Sequence, residues 1–214
     1  MRFWNRHSAE DFASAVSFSA MAKLKKKGAL LAFLKDAGRM FTPDDLEIMM
    51  ERYSAKTAHL PEGYKTRLAK YARIQIIDGF HQMMTCTLEK VHEEEKLPAD
   101  FKKFARFAET ECIKGTEGDR RRTLKFLIAA FTVYILNEPV HPVGMPFPGG
   151  FCVEKYDGVY YCPVRAVWNE VDAALCRFCP AVQSRERDLM LSKKERDFVT
   201  ASEKLNNYFY NFKG

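Results

Sequence analysis

The sequence contains 214 residues, 47% of them hydrophobic and 29% charged, which excludes the low-hydrophobicity, high-charge composition of disordered chains. The formal net charge of +6 favours anionic partners only mildly, since the basic runs 25–27 and 120–122 lie beside predicted helix ends, where cations are stable. The longest apolar stretch, residues 126–136, is about half of the ~20 residues needed to cross a bilayer, and the N-terminus lacks a secretory signal. We therefore expect a soluble, cytoplasmic protein.

The first two thirds of the chain predict α-helices, because apolar residues recur at helical spacing between capping and stop signals. Thr42 is a typical N-cap and Pro43 is typical of the first helical position. Gly38 and Gly115 are typical of helix ends. The predicted helices are 8–27, 29–37, 43–56, 62–96, 98–115 and 120–136.

A change of composition follows residue 138. The segment 140–150 contains three prolines and three glycines, which is too rigid and irregular for a helix or a central strand. We therefore divide the chain into a helical bundle at 1–138, a Pro/Gly loop with a β-hairpin and a cysteine-rich metal subdomain at 139–190, and a C-terminal helix at 191–214 that packs back on the bundle. The predicted fold class is mainly α, a helical bundle with a small C-terminal β-hairpin and cysteine-knuckle subdomain.

Residues 151–164 predict two short strands around an Asp157-Gly158 turn. If the loop comprises the three residues 156–158, Cys152 and Cys162 lie directly opposite each other on one face of the hairpin. A loop of only Asp157 and Gly158 would place these two cysteines on opposite faces. The sequence leaves both alternatives open.

Four of the six cysteines lie between positions 152 and 179, and they form the strongest chemical signal in the sequence. A reducing cytosol disfavours disulfides, so that clustered cysteines are more often thiols or metal ligands. A short helix at 167–175 is predicted to deliver the Cys176-x-x-Cys179 turn to the hairpin. Cys152, Cys162, Cys176 and Cys179 are therefore the predicted ligands of zinc or an iron-sulfur cluster.

Alternative ligands remain open, as does a site without metal. Cys112 is predicted to replace Cys152 if the hairpin has the two-residue loop, and His141 is a candidate nitrogen ligand. Without metal, the cysteines would be small buried hydrophobes, or Cys176 and Cys179 would form a redox pair. The acid-x-x-histidine pairs of helix 62–96 lie about 16 Å apart at the standard helical rise, which argues against a di-iron site.

The stretches 141–150, 160–165 and 174–183 together resemble a family of uncharacterised proteins from methanogenic archaea, domain of unknown function 2115. The helical part of the chain matches that family in length and texture only. The resemblance implies an anaerobic cytoplasm, where oxygen-sensitive iron-sulfur clusters survive. It implies no activity.

Three functions fit these observations. The favoured one is a metal-binding protein that acts as a binding or assembly factor, with structural cysteines and with a protein partner held by the Pro/Gly loop and hairpin. The second is an iron-sulfur redox protein or enzyme, and the third is a metal protein associated with RNA or the ribosome. No phosphate-binding loop, dinucleotide fingerprint or nucleophile elbow occurs in the sequence, which argues against an NTPase or a hydrolase. Whether the protein is an enzyme of another class stays open.

Overall fold

The computed structural model describes residues 16–113, 120–166 and 175–184. The chain divides into two compact units, and each is built from two separate stretches of sequence. The first unit comprises residues 1–49 and 76–136, and the second comprises residues 50–75 and 137–214.

The described part of the chain is mainly helical, which confirms the predicted fold class. Two of the helices continue directly into a wider π-helical turn, Ile74–Asp78 after the helix that ends at Arg73 and Phe131–Ile135 after the helix that ends at Ala130. The α-helices are α1 (Phe18–Met21), α2 (Lys27–Gly38), α3 (Pro43–Thr57), α4 (Glu62–Arg73), α5 (Gly79–Thr85), α6 (Phe101–Ile113) and α7 (Arg120–Ala130).

Helix α7 and its π turn lie at the centre of the first unit, where the apolar stretch 126–136 is largely buried as predicted. Phe104 of α6 packs edge-to-face against Phe126 and Tyr134, with ring centroids 6.1 and 5.2 Å away. Such edge-to-face pairs are a favoured arrangement of aromatic rings. The helical spacing of the apolar residues therefore identified this core correctly.

The second unit contains a small three-stranded sheet of β1 (Glu154–Tyr156), β2 (Val159–Cys162) and β3 (Val182–Gln183). Strand β2 lies in the middle, antiparallel to β1 and parallel to β3. One face of the sheet covers a core that also receives Leu68 and Ala72 of α4, both fully buried. Residues far apart in sequence thus share one core.

The prediction of a single helix at 62–96 is wrong after residue 85. Helix α5 ends at Thr85, and residues 93–97 instead pair with residues 25–28. The amide of Gly28 donates to the carbonyl of Glu93 at 3.0 Å, and a Cβ on Gly28 would lie 2.8 Å from the Cβ of Glu93. The two backbones can approach this closely only because Gly28 has no side chain.

The predicted helix at 8–27 is also shorter than expected. Within the described residues, α1 ends at Met21, and Gly28 lies inside α2 instead of stopping a helix. The amides of Lys27 and Leu97 bond to residues of the opposite segment, so that backbone pairing replaces helix from Lys25 onward. The helices predicted at 167–175 and 191–214 fall mostly or wholly outside the described residues.

None of the helices in the described part of the chain combines the length and the apolarity that a bilayer span requires.

Candidate metal centre

The hairpin turn decides how the predicted ligands are presented. Tyr156 pairs with Val159, so that the loop contains only Asp157 and Gly158. Both residues have positive φ, 47° and 77°, as the tight turn that matches the twist of a hairpin requires. The structure therefore has the two-residue loop of the two alternatives considered from the sequence.

This register separates Cys152 from Cys162. Glu154 pairs with Tyr161, and continuing this register by one residue sets Val153 opposite Cys162. Both Val153 and Cys162 are buried, with 1% and 5% of their surfaces exposed. Neighbouring residues of a strand point to opposite faces, so that Cys152 belongs to the other side. Cys152 is half-buried, and its backbone forms an isolated antiparallel β-bridge with Pro146 of the Pro/Gly loop.

Cys176 and Cys179 form a compact turn. Residues Cys176–Phe178 are a 3-10 helix, and the amide of Cys179 donates to the carbonyl of Cys176 at 3.1 Å. Side chains three residues apart lie one above the other in this geometry, which suits two thiolates bound to one metal. Cys179 also packs against the core cluster that contains Cys162.

Hydrogen bonds hold the loop after Cys162 against strand β3. The side-chain oxygen of Gln183 accepts from the amide of Ala166 at 2.6 Å, and its nitrogen donates to the carbonyl of Pro163 at 3.2 Å. Arg165 donates from Nε to the carbonyl of Ala181 at 2.9 Å. This arrangement could not be predicted from the sequence, because β3 has only two residues and its partners are distant in sequence.

The two alternative ligands, Cys112 and His141, belong to different units, and each contacts another side chain. Cys112 is in α6 of the first unit, where the hydroxyl of Thr123 lies 3.7 Å from its sulfur. His141 of the second unit packs edge-to-face on Phe147, with centroids 5.7 Å apart. Each side chain therefore has a structural contact that needs no metal.

The described residues 16–113, 120–166 and 175–184 contain no group of three or more histidine, cysteine, aspartate or glutamate side chains placed to hold one metal ion. All six predicted ligands and alternates fall within these ranges. The six cysteines are thiols in this structure. The Cys176 turn thus fits two ligands of a knuckle, while a complete cysteine site stays a prediction.

The outer face of the three-stranded sheet carries exposed apolar side chains. Tyr156 and Val159 are paired across the hairpin, with 76% and 41% of their surfaces exposed. Val182 of β3, paired with Tyr161, is 45% exposed. An apolar group on one face of a small sheet is typical of an interaction surface.

Comparison with known proteins identifies the family. The model of a family described as uncharacterised proteins conserved in archaea, DUF2115, matches residues 26–184. A UPF0305 protein of Methanothermobacter thermautotrophicus is 42% identical over 80 residues, 37% of this chain and 52% of that protein. Another, from Methanocaldococcus jannaschii, is 24% identical over 159 residues, 72% of this chain and 94% of that protein.

A UPF0305 protein of Methanopyrus kandleri is 40% identical over 60 residues, 28% of this chain and 42% of that protein. The chain thus spans about half the length of the first relatives that it matches. No solved structure matches this chain. Because the family model covers residues 26–184, which include both the helical part and the cysteine-rich part, the chain belongs to the DUF2115 family of archaeal proteins.

Proposed function

We propose that this chain is a cytoplasmic metal-binding protein that acts as a binding or assembly factor, with the metal held by cysteines of the second unit. The observation that carries the proposal is the Cys176–Cys179 turn, whose second cysteine packs on the same core cluster as Cys162. Two thiols from one turn and a third from an adjoining strand form the usual plan of a cysteine knuckle.

The complete site would form only when the metal binds. Metal ligation and local folding are coupled in small metal sites, because thiolates repel each other until a cation compensates them. A fourth ligand would come from Cys152 or His141, which belong to the same unit. Four protein ligands with no open position would favour a structural zinc site over a catalytic one.

Elemental analysis together with an absorption spectrum, on protein purified without oxygen, tests this proposal. We expect close to one zinc per chain and no visible absorption. Iron with sulfide and a brown colour would instead assign a redox function to the same cysteines. Protein that binds neither metal after anaerobic reconstitution would contradict a metal site.

Two cysteine variants make the test specific. Cys176→Ser should lose the bound metal, because the turn would supply one thiolate instead of two. Cys86→Ser is the matched control, since Cys86 is a buried cysteine of the first unit that lies outside the predicted ligand set. Equal metal content in both variants would contradict the ligand assignment.

The partner surface that we propose is the outer face of the sheet, where Tyr156, Val159 and Val182 are exposed. Its occupant would be a protein with a complementary apolar patch, since the centres of protein interfaces are apolar and poor in charged residues. Val143 of the Pro/Gly loop is also exposed, so that we propose this loop as a second point of contact with the partner.

Site-specific photo-crosslinking in a methanogen that expresses the chain tests this surface. A crosslinker at Tyr156 should give a discrete adduct that Val159→Lys abolishes, and a crosslinker at the exposed Glu51 of α3 should not give it. An adduct of twice the chain mass would identify a second copy and contradict a separate partner. A lower melting temperature of Val159→Lys would contradict exposure of this face in solution.

A further inference from the structure

A basic cleft of about 880 Å³ lies in the first unit, outside the cysteine region. Three segments line it, the stretch from Ser19 to Lys26, the stretch from Lys96 to Ala99, and helix α6. Only one acidic side chain, Glu109, lines the cleft among the described residues. The cations that line it are Lys23, Lys25, Lys26, Lys96, Lys102 and Arg106.

Backbone pairing brings several of these cations together. The amide of Leu97 donates to the carbonyl of Lys25 at 2.8 Å, and the two segments set Lys26 directly opposite Lys96. Like charges in directly opposed positions destabilise a pair of strands. The fold thus tolerates an electrostatic cost at this edge of the cleft.

Acidic residues compensate only part of this charge. Glu94 forms an ion pair with Lys26, and Glu95 forms one with the neighbouring Lys27 at 2.8 Å. Within the described residues, Lys25 and Lys102 take part in no ion pair. The cleft therefore retains positive charge that an anionic ligand would neutralise.

Apolar side chains form part of the same surface. Leu24 and Leu97 are half-buried and line the cleft, whereas Phe101 also lines it but has only 2% of its surface exposed. On α6, Lys102 and Arg106 lie one helical turn apart and share a face. The cleft thus combines a row of cations with an apolar floor.

We propose that this cleft binds single-stranded nucleic acid, with phosphates on the lysines and arginine and with base faces on the apolar floor. A single strand exposes the faces of its bases, whereas a duplex hides them and presents mainly phosphates. The volume exceeds that of one phosphate group, and the cations come from three segments, which suits a chain of phosphates. This binding is independent of the cysteine site.

Fluorescence anisotropy with a labelled oligouridylate of about twelve nucleotides measures the binding. We expect an affinity that falls as salt rises, because each neutralised phosphate releases counterions. The variant Lys25→Gln/Lys102→Gln/Arg106→Gln should bind about tenfold or more weakly, with a salt slope lower by about 2, since each contact contributes ~0.7 for single strands. Lys102→Gln alone should lower the slope by about 0.7.

The matched control removes the same charge from another exposed helix face. In α4 of the second unit, Arg67, Lys70 and Arg73 are exposed, and Arg67→Gln/Lys70→Gln/Arg73→Gln should keep the wild-type affinity and slope. Equal losses in both triple variants would overturn the proposal, since they would reflect net charge alone. No binding at low salt, tighter binding of a duplex of equal length, or tighter binding of an oligoglutamate of equal charge would also overturn it.

Discussion

The backbone conformation of the Pro/Gly loop depends on Gly144. Its φ is +86°, and a Cβ at this position would lie 2.9 Å from Cζ and 3.0 Å from Cε1 of Tyr71. The neighbouring hydrogen bond, from the amide of Gly144 to the carbonyl of Val153, is only 2.7 Å long. Both the backbone conformation and the packed tyrosine ring therefore require glycine here.

We expect Gly144→Ala to destabilise the second unit by about 1–3 kcal/mol, because alanine would be strained at positive φ and would displace the tyrosine ring. Chemical denaturation measures the change in the free energy of unfolding. Gly63→Ala is the control, since open space surrounds Gly63 in α4, and alanine there should be neutral or stabilise by up to about 1 kcal/mol. Equal effects of the two substitutions would contradict this account.

Asp45 is a buried carboxylate in the first turn of α3 that also contacts Arg120, the first residue of α7. Burial alone would raise its pKa, but hydrogen bonds from the amide of Thr42 and from the Arg120 guanidinium outweigh it and hold the pKa below the ordinary value. The contacts are 2.9 Å from Thr42 and 3.2 Å from Arg120. Because the folded state binds the proton more weakly than the unfolded state, Asp45 stabilises the fold above its unfolded pKa of about 3.9.

Replacing Asp45 with asparagine should therefore cost about 1–3 kcal/mol at neutral pH, as is typical for hydrogen bonds to a charged group. The difference from wild type should shrink as the pH falls below about 4 and through the folded pKa, because the wild-type carboxyl becomes neutral too. Thermal unfolding at a series of pH values measures this. The exposed Asp44, replaced in the same way, should show a smaller effect, and a gap independent of pH would refute the assignment.

The structure of the hairpin and its sheet depends partly on neighbouring residues and partly on residues distant in sequence. The position of the hairpin turn was predicted from the Asp157-Gly158 dipeptide, because Asp and Gly adopt positive φ more readily than most residues. The loop length of two residues was not decided by the sequence. The loop length in turn determines that Val153, and not Cys152, faces the core with Cys162. Strand β3 could not be predicted, since a two-residue strand has no periodicity of its own.

The ends of the helices likewise depend on neighbouring residues in some cases and on distant residues in others. The start of α3 at Pro43 was predicted because capping residues act locally. The end of α5 at Thr85 was not predicted, because residues 93–97 find their backbone partners in residues 25–28, far away in sequence. The turn of Cys176 and Cys179 followed from spacing, whereas the ties of Gln183 to the loop after Cys162 did not.

The turn itself can be tested at Gly158. We expect Gly158→Ala to destabilise the second unit by roughly 1 kcal/mol, because alanine is disfavoured at a φ of 77°. Asp157→Asn should leave the stability unchanged or raise it slightly, since Asn-Gly favours this turn strongly. Urea denaturation of both variants measures the effect, and a wild-type midpoint for Gly158→Ala would argue against the turn.

At the scale of the whole molecule, the predicted division at 1–138, 139–190 and 191–214 stays a prediction, and a fragment experiment can test it. The core of the second unit contains Tyr53, Leu68 and Ala72, all N-terminal to that division. We therefore expect a fragment of residues 137–214 to lack cooperative unfolding by circular dichroism. A fusion that adds residues 50–75 should restore it, and a cooperative transition in the shorter fragment would refute this.

The interleaving of the two units has a consequence for synthesis on the ribosome. Leu68 and Ala72 are translated before residues 76–136, whereas the strands that bury them follow only after residue 136. At roughly 5–20 residues per second, that delay lasts several seconds. During this interval the nascent chain exposes the apolar side of α4, which makes this helix a target for chaperones that bind unfinished proteins.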